Sequence, residues 1–268
     1  MKLTKNQYAT IKKVTGPLIF VEGLKGVSFS ELCTIKLRDG ETRLGQVLKL
    51  HDDQAVIQVL EGTSGIDIKD SSVTPHGEVA KIGLSEDVLG RVFNGMGKPI
   101  DGLPPILPTV RMDINGSPIN PVARERPFNF IETGISAIDG LNTLVRGQKL
   151  PVFSTAGLPA NKLVMQILKN SRVPDDEEFY IVLGAMGITS REAFFFADEL
   201  EASGMKHRTV SYINLASDPA VERLFTPRIA LTTSEYLAFE KGCHVLLLIT
   251  DMTAYCEALR EIAGAREE

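Results

Sequence analysis

The apolar period of this chain changes along its length, and that change restricts its fold more than any single residue does. Segments 9–14, 18–21, 32–37, 43–50 and 55–60 are short alternating runs set apart by turn residues, among them Asp39-Gly40 and Asp52-Asp53. Regularly spaced runs of that kind predict antiparallel strands in a small barrel. After Pro127 the pattern becomes apolar strands separated by helices, with strands expected at 179–185, 209–214 and in Cys243-His-Val-Leu-Leu-Leu-Ile-Thr250. Near-continuous apolar strands alternating with helices predict a parallel sheet covered on both faces. Between the two patterns lie Gly-Met-Gly-Lys-Pro at 95–99, Pro104, Pro105, Pro108, Pro118 and Pro121, a connector that cannot hold a helix. The expected organisation is an N-terminal β-barrel over 1–75, then connector and α/β domain over 76–268. A length of 268 residues agrees with about two domains.

The segment Ser154-Thr-Ala-Gly-Leu-Pro-Ala-Asn161 has the spacing of a phosphate-binding loop, G-x-x-x-x-G-K-[ST], with its working residues replaced. Ser154 stands at the first glycine, Pro159 at the second, Ala160 at the lysine and Asn161 at the hydroxyl that holds Mg²⁺. A Gly-Leu-Pro turn is by itself ordinary punctuation. Its setting argues for more: an expected strand at 149–153 precedes it, and a helix from Ala160 with Leu163, Val164, Ile167 and Leu168 on one face follows. Pro159 suits the first turn of that helix. Loss of the cation alone removes on the order of 4 kcal/mol of attraction in a partly screened site, so the loop predicts no tight binding of MgATP.

Other residues carry weaker signals. Leu246-Leu-Leu-Ile-Thr-Asp251 is an apolar strand closed by an acid, which reads either as a nucleotide-facing aspartate or as the cap of a following helix. In hexameric ATPases a glutamate near the end of the second strand polarises the attacking water, and Ile188 occupies the comparable place here. Glu192 reads more economically as the capping-box partner of Thr189 than as a substitute base. Lys162 lies just past the loop, where it replaces the missing lysine only electrostatically. Arg223 and Arg228 on one expected helix read as a solvated face. Four histidines without H-x-x-H spacing argue against zinc, and three scattered cysteines argue for buried thiols in a reducing compartment.

A net charge of −5 and the absence of tryptophan give no support for a nucleic-acid surface. No apolar stretch reaches the ~18 residues of a membrane span. The expected location is cytoplasmic, with any membrane association made through partners.

Longer motifs add a family resemblance. Glu61-Gly-Thr-Ser-Gly-Ile66, Gly90-Arg-Val-Phe93, Asp113-Ile-Asn-Gly116, Asn120-Pro-Val-Ala-Arg124, Asp218-Pro-Ala-Val-Glu-Arg223, Thr250-Asp-Met-Thr-Ala-Tyr255 and the run Thr133-Gly-Ile-Ser-Ala-Ile-Asp-Gly-Leu-Asn-Thr-Leu-Val-Arg-Gly-Gln-Lys149 resemble the B subunit of V-type and archaeal A-type ATPases. The resemblance implies a RecA-like α/β domain with a decayed loop, and a non-catalytic, regulatory member of a ring that alternates with a catalytic A subunit. It implies contacts with central and peripheral stalk subunits, coupling of ATP hydrolysis or synthesis to H⁺ or Na⁺ transport, an α/β domain incomplete at its carboxyl end, and a C-terminal helical domain that this sequence lacks. The family loop has His and Glu where this chain has Ala160 and Lys162. Ser154, Gly157, Asn161, Lys162 and Asp251 are the expected nucleotide-facing residues, allowing at most weak ATP or ADP at a subunit interface, with no catalytic residue and no metal ligand. The alternatives are a weak ATPase and a stand-alone scaffold or interaction protein of the same fold.

Overall fold

The computed structural model describes residues 11–266 apart from 25, 52, 124–125, 156 and 174–177. The expected strand start at Ala9, the turn residue Asp52 and the loop residue Ala156 therefore lie outside the described residues. The chain divides into two compact units, one of Met1–Ile82, Ser217–Phe225 and Met252–Glu268, the other of Gly83–Ala216 and Thr226–Asp251.

The first unit is built on strands β1 (Ile11–Thr15), β2 (Leu18–Glu22), β3 (Glu31–Lys36), β4 (Thr42–His51), β5 (Gln54–Val59) and β6 (Ser72–Val79). They form one antiparallel sheet in the order β1-β2-β5-β4-β3-β6. Alternate residues Ile19, Val21, Cys33, Ile35, Val47, Ile57 and Val59 turn inward to one core. Packing there is close: a Cβ on Gly45 would lie 2.7 Å from Ile57 Cγ2 and 2.8 Å from Ile35 Cδ1, so only glycine fits. Burial pushes the Cys33 thiol up to about 12, making it an inert apolar filler. The Glu31 carboxylate is also buried but accepts the amides of Ser28 at 2.8 Å and Gly77 at 2.6 Å, which satisfies it. Strand β6 runs past residue 75 and was not expected, because Pro75 and Gly77 interrupt its pattern. Its place at the end of the sheet is where a missing donor costs least.

In the second unit, β8 (Val92–Asn94), β10 (Phe179–Ile188), β11 (Thr209–Leu215) and β12 (His244–Thr250) make a fully parallel sheet in the order β12-β10-β11-β8. Short strands β7 (Lys81–Leu84) and β9 (Val110–Asp113) lie along the connector. The α-helices among the described residues are α1 (Ser136–Leu141), α2 (Ala160–Asn170), α3 (Ser190–Ser203), α4 (Ala220–Glu235) and α5 (Met252–Arg266). One face of the sheet packs Ile181, Leu183 and Ala185 against Met165 and Leu168 of α2 and Phe196 and Leu200 of α3. On the other face a Cβ at Gly184 would meet Ala230 Cβ of α4 at 3.3 Å, and Tyr212 hydrogen-bonds Thr233 at 2.7 Å. The expected parallel sheet with helices on both faces is thus present.

Two expectations are corrected. The connector is not merely irregular, since it supplies β8 to the sheet. Arg91 grips Asp101 through Nε and Nη2, and the amides of Val92 and Leu103 donate to the same carboxylate. That knot holds Asp101 down to about 2 and lays Phe93 on Tyr212, ring centroids 5.3 Å apart. Conversely, 149–153 forms no strand. Pro151 removes a donor, and Phe153 is left 92% exposed.

Candidate functional site

The candidate site is the loop before α2 together with the carboxyl ends of β10, β11 and β12. Gly157 sits at φ +89° in open space, so the turn itself, not crowding, calls for glycine. The Leu158 amide closes the turn on the Thr155 carbonyl at 3.3 Å. Pro159 is the cap residue rather than part of the first turn: its backbone is not helical, and its carbonyl accepts the amides of Lys162 at 3.0 Å and Leu163 at 3.2 Å. Having no polar side chain, it caps nothing itself, so α2 begins without a side-chain cap.

Asn161, at the former hydroxyl place, donates Nδ2 to Glu192 Oε1 at 2.8 Å. The other carboxylate oxygen accepts the Thr189 amide at 2.8 Å and its hydroxyl at 2.9 Å, while the Thr189 hydroxyl accepts the Glu192 amide at 3.3 Å. This is the capping box expected at α3. The amide of Thr189 is the main force holding the Glu192 carboxyl below its ordinary range, with burial opposing it and the Thr189 hydroxyl and Asn161 assisting. A carboxylate held by three donors is a poor proton acceptor, so capping is its role here and the substitute-base reading is set aside.

Ile188 ends β10 almost fully buried, and its carbonyl takes the Ala216 amide at 2.8 Å. Asp251 follows β12, exposed, with its amide directed at the Met186 carbonyl at 3.4 Å. The structure therefore gathers Asn161, Glu192 and Asp251 around the end of β10. Ser154, Gly157 and Lys162 are exposed and share no hydrogen bond with that group among the described residues. Sequence reasoning missed Asn214, fully buried at the end of β11, whose Oδ1 accepts the Gly187 amide at 3.1 Å. An amide side chain closing an otherwise apolar strand was the available signal. The two helix arginines are occupied locally, Arg223 on the Asp218 carbonyl and Arg228 on Asn115 Oδ1 at 3.3 Å.

Two family models match the chain. Residues 11–77 match the beta-barrel domain, and residues 134–268 the nucleotide-binding domain, of the ATP synthase alpha/beta family. The chain belongs to the ATP synthase alpha/beta family. Its domains are those of an ATPase or ATP synthase subunit, and the matched segments contain all but the last two residues of the antiparallel sheet of the first unit, and the loop, α2 and α3 of the second. Against that membership, the residues present do not fit a magnesium-bound triphosphate held in the manner of an intact phosphate loop. Ala160 offers no charge, and the polar group of Asn161 is turned to Glu192.

Proposed function

We propose that this member of the ATP synthase alpha/beta family is the non-catalytic, regulatory B-type subunit of a V-type or archaeal A-type rotary ATPase. It alternates with catalytic A subunits, contacts the central and peripheral stalks, and takes part in coupling ATP hydrolysis or synthesis to H⁺ or Na⁺ transport. It works at the cytoplasmic side of a membrane that it meets only through the complex. The observation that carries the reading is the Asn161–Glu192 hydrogen bond at 2.8 Å. The residue at the metal-binding place is turned to a carboxylate that Thr189 already holds, which leaves the loop a shape without its chemistry. The motifs from Glu61 to Tyr255 support the choice of the B type. The exposed Val152, Phe153 and Leu158 around the loop support a face that a neighbouring subunit covers.

The reading is tested by expressing the chain with and without a catalytic A-type subunit. The expected result is a stable complex with that subunit and no magnesium-dependent phosphate release by the chain alone. Phosphate release by the purified chain that disappears in Asp251→Asn would show a working active site and overturn the proposal.

A further inference from the structure

A cleft of about 470 Å³ opens at the carboxyl end of α2. The helix has 11 residues, so the cleft lies roughly 16 Å along its axis from the loop. Lys169 and Arg172 from the end of α2 and Arg208 from the turn before β11 line it, with the Asn170 amide, the Met205 thioether and Glu132. Lys169 pairs with Glu199 and Arg172 with Glu132, whereas Arg208 makes no ion pair among the described residues. Among the described residues, these three cations face two paired carboxylates, Glu199 and Glu132.

The negative end of α2 accounts for Lys169 and Arg172 by itself. It does not account for Arg208, which arrives from a different segment and turns a helix end into a converging set. The Arg172–Glu132 pair is weakly held, since the Arg172 side chain is 78% exposed and exposed pairs contribute little. Arg172 is therefore available to a stronger acceptor. Gly134 packs closely against Asn170 in the cleft wall: a Cβ there would come within 2.6 Å of Asn170 Cβ. Guanidinium groups bind tetrahedral oxyanions through paired N–H bonds. The volume falls within the roughly 300–1,000 Å³ of small-ligand sites, which leaves room for an organic group against Met205.

We propose that this cleft binds a small phosphate monoester, separately from the loop, with Arg208 and Arg172 on the phosphate. The test follows backbone amide resonances of the full chain at constant ionic strength during titration with ribose 5-phosphate, inorganic phosphate or ribose. Ribose 5-phosphate is expected to shift the Gly134, Ser171 and Arg208 signals saturably, inorganic phosphate to do so more weakly, and ribose to do nothing. Arg208→Gln weakens binding about tenfold or more, the effect of losing a charge-assisted contact. Arg172→Gln weakens it as well, and Lys162→Ala on the loop leaves it unchanged. No saturable shift at millimolar ligand, shifts confined to the loop, or an undiminished response in both arginine variants would each overturn the proposal.

Discussion

Helices α2 and α3 pack side by side on the same face of the sheet, yet they begin in opposite ways. The start of α3 is closed by the Thr189–Glu192 capping box, and Gly204 at φ +69° ends it. At α2 the cap residue is Pro159, with no side chain able to bond the first amides. A helix start left open is what an anion-binding loop requires, because those amides are kept for the ligand. α2 has kept a start without a side-chain cap while losing the cation and the hydroxyl that made it useful; its Ala160 and Lys162 amides are taken by the Leu158 and Pro159 carbonyls, and Asn161 has turned sideways to brace its neighbour. The contrast teaches that a binding site can decay in its side chains while its backbone is retained and recruited into packing.

The largest expected effect tests whether the contrast stops at the helix starts. Leu168 of α2 and Phe196 of α3 are both almost fully buried in one core. Leu168→Ala and Phe196→Ala should each cost about 3–4 kcal/mol in urea unfolding. A much smaller cost at Leu168 would mean that α2 is loosely held throughout. A smaller effect separates the two starts. Thr189→Ala should cost about 1 kcal/mol through the lost cap, whereas Pro159→Ala should cost only about 0.5 kcal/mol, through greater freedom of the unfolded chain. Equal losses would erase the distinction between a capped and an uncapped start.

What the sequence disclosed follows the same division between local and remote causes. The barrel strands were legible because inward and outward residues alternate at short range, and the Thr189–Glu192 box because its partners are three residues apart. The apolar run ending at Asp251 was legible because no solvated strand has that composition. Strand β6 was hidden by Pro75 and Gly77, tolerable only because it lies at a sheet edge. Strand β8 has three residues, and its place depends on Arg91 reaching Asp101, which no apolar period reports. The run at 149–153 was over-read, since its composition suits a strand but Pro151 removes a ladder donor and Phe153 is left exposed. At the site, residue types revealed that the loop had lost its chemistry. The partner that Asn161 found lies 31 residues away and could be known only from the folded chain.

The smallest effect asks whether that brace is real. Asn161→Ala should cost roughly 0.5 kcal/mol at pH 7, the contribution of one half-exposed hydrogen bond. The Glu192 carboxyl is held below its ordinary value of 4.5, chiefly by the Thr189 amide. A group whose folded value is depressed contributes stability above its unfolded value and loses it as pH falls through the folded value. The Asn161→Ala cost should therefore be full at neutral pH and shrink in acid, as pH falls through the lowered value at which the folded Glu192 takes up its proton. It should also vanish at pH 7 in a Glu192→Ala background, as a double-mutant cycle would show. A cost that persists in acid, or survives loss of Glu192, would mean that Asn161 acts elsewhere. The start of α2 would then owe nothing to its neighbour.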